Sequence, residues 1–314
     1  MKNFYLCAMI ILHNKNKRQR TKLMAAVGFF DGVHAGHRYF IREMQQLASA
    51  RGLETVIFTF PVHPRIVLEE GYRPQLLNSF DEKLKMLATT GINYCVVLDF
   101  TLELASCTAY DFIVKILSEQ WNVCSLLIGY DHRFGNNRTD GFDEYVEYGK
   151  VCGMEIIQAT SYNRRKRAVS SSQIRQLLSA CWVEDAAKLL TYPYRLKGKV
   201  VYGTQIGRVL GFPTANISIN EPYKVWPGQG VYAVWVYVCY GRYKGMLTIG
   251  DRPTMNGTQM SVEVHILHFS RDIYYRNIEV EFMYYLRDNR KFENPEALIE
   301  QLKKDRWQIE KLLK

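Results

Sequence analysis

The sequence predicts two domains in series. The first is an α/β domain on a doubly wound parallel sheet; the second is an antiparallel β-barrel or sandwich closed by a terminal helix. Three observations predict this. The chain has 314 residues, more than the roughly 100–200 of one ordinary domain. Short apolar runs alternate with helical stripes up to about residue 160, the pattern of strands and crossover helices. From Tyr194 onward, Val- and Tyr-rich runs are separated by Gly, Pro and Asn, the pattern of an antiparallel barrel or sandwich.

The elements follow in order. Residues 25–30 form an apolar run ending at the turn signal Asp31-Gly32. A helix is expected over 36–51, with Phe40, Ile41, Met44 and Leu47 on one stripe, and Gly52 stops it. Residues 54–60 read as a buried strand broken by Pro61 and Pro64. Helices are expected over 81–90, 110–120 and 142–152, and strands over 94–98, 124–128 and 155–159. A short helical region runs from 170 to about 190. Strands are then expected over 198–202, 231–240, 243–249, 261–268 and 278–286, and a last helix over 295–312. The domains are placed at 24–182 and 183–314, after a poorly ordered or non-family extension over 1–23.

Composition excludes several classes. Hydrophobic residues are 47% and charged residues 23%, close to an average globular chain and unlike collagen, a long coiled coil or a disordered chain. No apolar run approaches the roughly 18 residues of a membrane-spanning helix. The net charge of +10 is concentrated at the start: the first 23 residues carry +6 and no acid, which leaves +4 for the rest. That leader has most of its charge after its apolar core, the reverse of a secretory signal. Met24 is therefore a candidate working start. The seven cysteines are dispersed, with no Cys-x-x-Cys pair, which reads as reduced thiols in a cytoplasmic protein. The basic run 162–167 suits nucleic acid in composition, but it abuts a serine motif, so a phosphate-binding loop explains it equally.

The strongest local signal is Gly28-Phe29-Phe30-Asp31-Gly32-Val33-His34-Ala35-Gly36-His37, between a strand and a helix. Backbone N–H groups and the helix dipole make that junction an anion site. His34 and His37, three apart, can both face one phosphate, and Gly32 and Gly36 allow close approach. The alternative is a pair of capping histidines in a glycine turn; the strand–turn–helix frame favours the anion site. Thr59-Phe60-Pro61-Val62-His63-Pro64-Arg65 and Gly129-Tyr130-Asp131-His132-Arg133-Phe134-Gly135 follow later strands, where open α/β sheets bind ligands. Ser170-Ser171-Ser172 opens a helix with Arg175 on its first turn, suited to a cap and to phosphate.

The second half carries its own set. Gly203, Gly207 and Gly211 make a loop able to wrap phosphates. It contains Arg208 and leads into Pro213-Thr214-Ala215-Asn216. Thr214 and Asn216 lie two apart on an extended segment and so share a side. Neutral oxygens with phosphate oxygens form an ordinary Mg²⁺ shell. On the alternating strand around Glu263, that glutamate and His265 share one face; a carboxylate there is a candidate general base.

The His-x-Gly-His element resembles the signature of the Rossmann-like nucleotidyltransferases that share a fold with class I aminoacyl-tRNA synthetases. With the later elements, the chain closely resembles the bacterial bifunctional riboflavin kinase/FAD synthetases from about residue 25 to its end. That resemblance implies a barrel of the riboflavin kinase type for the second domain. It implies transfer of the γ-phosphate of ATP to riboflavin there, with Mg²⁺ at Thr214 and Asn216 and Glu263 deprotonating the ribityl hydroxyl. It implies that Gly203, Gly207, Arg208, Gly211, Pro213 and Arg287 contact ATP or flavin. The first domain would then join FMN and ATP into FAD and pyrophosphate. His34 and His37 would be catalytic there, with Gly28, Phe30, Asp31, Gly32, Gly36, Gly129, Asp131, Arg133, Ser171, Ser172 and Arg175 binding ATP or phosphate. The partners implied are small molecules, with neither nucleic acid nor membrane, and the state a monomer or weak homo-oligomer. The chain departs from the family pattern at five places. Thr191-Tyr192 replaces Gly-Arg, Thr248 an Asn, His268 an Asp and Tyr275 a Gly, and Ser172 stands for a Thr. These departures bear on substrate affinity and on whether both modules are fully active.

Overall fold

The computed structural model describes residues 9–13, 21–130, 133–136, 139–160, 163–164, 167–203, 205–254 and 257–314. The chain divides into two units, Met1–Ser171 and Ser172–Lys314.

The first unit is built on six strands: β1 (Ile10–His13), β2 (Leu23–Val27), β3 (Glu54–Thr59), β4 (Tyr94–Val97), β5 (Val123–Ile128) and β6 (Glu155–Gln158). Their order in the sheet is β1-β4-β3-β2-β5-β6, and every pairing is parallel. Strand alternation supplies two apolar layers. Leu23 and Ala25 of β2 pack with Phe58, Val96, Leu126 and Trp121 on one face. Met24 and Ala26 pack with Ile57, Cys95, Leu127 and Ile41 on the other. A sheet buried on both faces needs such continuous apolar strands. The strand order reverses between β2 and β5, and a crevice opens outside the carboxyl ends at such a reversal. The loops after β2 and β5, both singled out by sequence, flank this reversal. A two-residue ribbon, β7 (Asn163–Arg164) with β8 (Arg167–Ala168), completes this unit's strands.

The second unit is a closed barrel in the order β10-β13-β12-β11-β14-β9. Its strands are β9 (Arg195–Val201), β10 (Ala215–Ser218), β11 (Gly230–Val238), β12 (Gly241–Thr254), β13 (Gly257–Ile266) and β14 (Asn277–Arg287). All its pairings are antiparallel. The closing helix Pro295–Leu312 starts at Asn294, whose side chain accepts from Ala297 N. Its Ile309 joins Val231, Ala233 and Met246 in one apolar layer. Arg287 of β14 reaches Asp305 of that helix at 2.7 Å, and Asp305 is 2% exposed.

One expectation needs correction. Ile10–His13 is not a poorly ordered extension: it pairs with β4 as the sheet's edge strand, and Leu23 is fully buried in β2. The open edge of β4 supplies the reason, because Ile10 N donates to Asn93 O at 2.9 Å as the ladder begins. Gly228 N donates to Leu178 O at 2.9 Å, which ties the helix Ser171–Ser179 to the segment before β11.

Candidate active sites

In the first unit, the loop after β2 is held from several sides. Gly28 N donates to Phe58 O at 3.0 Å. Thr59 Oγ1 donates to Phe29 O at 3.3 Å. Ser171 Oγ donates to Asp31 O at 2.9 Å. The backbone is strained within this frame: Phe30 has φ 55° and Val33 φ 36°, and left-handed backbone at a β-branched residue is an outlier. Such strain persists only where surroundings over-determine it.

His34 caps the helix Ala35–Ala50, its Nδ1 accepting from His37 N at 3.4 Å. In the neutral ring the proton then sits on Nε2. The rings of His34 and His37 stack with centroids 3.8 Å apart. His37 Nδ1 is buried without a hydrogen-bond partner. Burial, then the neighbouring His34 and Lys83, hold His37 well below the ordinary histidine range. Gly36 fits a close approach: a Cβ there would lie 3.2 Å from the His34 ring and 3.3 Å from Val169 O. The arrangement is a pair of ring N–H donors at a helix N-terminus, suited to developing negative charge.

The structure brings Gly28, Phe30, Asp31, Gly32, His34, Gly36, His37 and Ser171 together. It turns the Asp31 carboxylate inward, where Oδ1 accepts from Leu77 N at 2.9 Å and Asn78 N at 3.3 Å. Gly129 follows β5, and Arg133 is exposed on the same loop. That loop is anchored by Phe134, stacked on Tyr145 at 4.4 Å. Asp131 lies outside the described residues, as does part of the basic run at 162–167. In the second unit Arg175 Nη1 donates to Ser172 Oγ at 3.4 Å.

In the barrel, Asn216 stands opposite Glu263 in the ladder between β10 and β13. Thr214 Oγ1 donates to Glu263 Oε2 at 3.2 Å. Thr248 faces Glu263 from β12. His265 Nδ1 is 2.8 Å from Pro213 O and fixes the segment that carries Thr214. Burial pushes this histidine down, so it stays neutral and donates from Nδ1. Gly203 forms a cradle: a Cβ there would lie 2.1 Å from Asn216 Nδ2. At Gly207 a Cβ would meet Phe212 O at 2.4 Å. Hydroxyl, carboxamide and carboxylate oxygens converge here, the hard donor set that Mg²⁺ takes. A cleft of about 560 Å³ adjoins them, bordered by Arg208, Pro213, Thr214, Arg271 and Tyr274. Gly211 has φ 81° in the same loop. Arg287 is committed to the fold, donating to Asp305 and to Asp288 O at 3.0 Å.

Sequence reasoning missed Lys83, which is 2% exposed beside this first site. The signal was present: position 83 continues the buried stripe of Phe80, Leu84 and Leu87, where a lysine is out of place. It also missed the stack of Tyr202 on Tyr274 at 4.0 Å, because those rings are distant in sequence.

Comparison with known proteins matches two family models in the chain order of the two units. FAD synthetase matches residues 16–173 and riboflavin kinase matches 190–313. The bifunctional riboflavin kinase/FMN adenylyltransferase of Listeria monocytogenes is 35% identical over 89% of each chain. That of Escherichia coli K12 is 32% identical over 94% of each. That of Bacillus subtilis is 33% identical over 94% of this chain and 93% of its own. A crystal structure from Streptococcus pneumoniae, described as a macrolide-efflux protein, superposes with a TM-score of 0.84 at 30% identity and covers 95% of this chain and 98% of its own. Among the described residues of this chain, no helix is long and apolar enough to cross a membrane.

Proposed function

The chain belongs to the bifunctional riboflavin kinase/FMN adenylyltransferase family, and on that premise we propose that it makes FMN in its barrel and FAD in its parallel-sheet unit. The observation that carries this division is that each unit holds its own polar constellation. His34 and His37 stack at 3.8 Å in the first, and Thr214 and Glu263 meet at 3.2 Å in the second.

In the barrel, Glu263 takes the proton of the ribityl hydroxyl of riboflavin. The hydroxyl oxygen bonds to the γ-phosphorus of ATP as the bond to the β-phosphate oxygen breaks, giving FMN and ADP. Thr214 and Asn216 would hold Mg²⁺, which supplies charge neutralisation at the phosphates when bound. His265 keeps the Pro213 carbonyl, and with it Thr214, in register. Arg208, exposed beside the cleft, suits the outer phosphates.

In the first unit, an FMN phosphate oxygen bonds to the α-phosphorus of ATP and pyrophosphate leaves. The chain contributes position and hydrogen bonds rather than a covalent intermediate. His34 donates from Nε2 and His37 from its free ring edge to oxygens that gain charge. Arg133 and Ser171 bind phosphates. The substrates are small soluble metabolites, which fits a cytoplasmic enzyme acting as a monomer or weak homo-oligomer.

Flavins are separated after incubating the chain with riboflavin, ATP and Mg²⁺. FMN should accumulate and give way to FAD. His37→Ala should stop FAD formation and spare FMN formation. Glu263→Ala should stop FMN formation and still make FAD from supplied FMN. Loss of both activities in either folded variant would show the division to be wrong.

A further inference from the structure

Lys83 lies on the buried stripe of the helix Phe80–Ala88. Its Nζ donates to Phe60 O at 2.8 Å, one residue beyond β3. The same ammonium stands 3.9 Å from the centroid of the Phe29 ring and 5.4 Å from that of Phe80. Phe29 opens the loop that carries the stacked histidines, and its ring meets His63 edge-on at 4.8 Å. One cation therefore spans the carboxyl ends of β2 and β3, neighbours in the sheet.

The groups that bear on Lys83 come from three elements: Asp31 in the loop, His37 on the helix Ala35–Ala50 and Cys95 on β4. Burial pushes the Cys95 thiol up to about 12, so it stays protonated and neutral. Asp31 supplies the opposing charge. Burial still pulls Lys83 down to about 8, so the chain keeps a charge where one is costly. A methionine would fill the same apolar place without that cost. What the charge does act on is the reacting site, because it disfavours a proton on His37.

We infer that Lys83 is a positioning residue of the adenylyl-transfer site, clamping Phe29 and Phe60 at the rim of the crevice. This rests on the assignment of FAD formation to this unit. Lys83 touches no reacting atom; it acts through the loop and through His37.

The test compares Lys83→Met and Lys83→Arg with the unaltered full-length chain. Lys83→Met should lower kcat for FAD formation from supplied FMN about tenfold or more. It should leave KM for FMN within about threefold and leave FMN formation from riboflavin unchanged. The His37 ring titration, followed by NMR, should move upward by about half a pH unit or more once the like charge is gone. Lys83→Arg should keep both close to the unaltered values. An unchanged kcat with an unmoved His37 titration in Lys83→Met would overturn the inference. Failure of the unaltered chain to make FAD would instead overturn the functional assignment. If Lys83→Met does not fold, the unaltered enzyme decides. Its kcat for FAD must fall as pH rises through about 8, where Lys83 loses its proton, and a flat profile there overturns the inference.

Discussion

Thr191 ends the helix Val183–Leu190 with φ 71° and ψ 13°. Left-handed backbone costs an L-residue about 1–2 kcal/mol, and branching at Cβ makes the position worse. Glycine escapes that cost but returns about 0.5–1 kcal/mol through its freedom in the unfolded chain. Thr191→Gly should therefore stabilise the second unit by about 0.5–1 kcal/mol. No packing is lost, because Thr191 is exposed, and its N–H keeps the bond to Ala187 O at 2.8 Å. The assay is urea unfolding followed by tryptophan fluorescence. Trp182, Trp226, Trp235 and Trp307 lie in the second unit and Trp121 alone in the first, so the signal reports mainly the second. With a slope of about 2 kcal/mol/M, the midpoint should rise by about 0.3–0.5 M. Thr191→Ala keeps the left-handed cost while removing the hydroxyl, and should move the midpoint by less than about 0.2 M. An unmoved or lower midpoint in Thr191→Gly, or an equal rise in Thr191→Ala, would refute the reasoning.

Gly203→Ala drives a methyl into the Asn216 carboxamide, 2.1 Å from its Nδ2. FMN formation should drop by about tenfold or more while FAD formation from supplied FMN stays, a split read by chromatography of the two reactions. Asp305→Ala leaves the Arg287 guanidinium without its buried partner. It should destabilise the second unit by about 3 kcal/mol in the same urea assay. Lys83 also gives stability a pH dependence with a definite sign. Its folded pKa of about 8 lies below the ordinary lysine value of 10.5, so between those values the unfolded chain binds more protons and this group makes stability rise with pH. The full rise is about 3 kcal/mol, and thermal unfolding at pH 7.5 and 10 should show it reduced in Lys83→Met.

What was legible in the sequence was whatever local chemistry encodes. The helix Phe142–Cys152 ends at Gly153 with φ 69°, and the helix Pro295–Leu312 follows the side-chain cap of Asn294, so both expected spans, 142–152 and 295–312, match the structure. The loops at the strand ends were legible because glycine, histidine and serine concentrate there. What was hidden depended on distant partners. Strand β1 is four residues long and gains its identity only from the edge of β4. The Asp31 carboxylate reads as a ligand group until residues 77 and 78 claim it. The departures from the family pattern were visible, but their meaning was not. Three of them, Thr191, His268 and Tyr275, have φ of 71°, 56° and 63°. The family's usual residues there are Gly, Asp and Gly, the types that tolerate left-handed backbone. Read as sequence, these changes bear on substrate affinity; read as backbone, they are sites of strain. Their first effect should therefore be on stability. Thr248 is the exception. It stands opposite Glu263 in the ladder, and there a departure meets the chemistry directly.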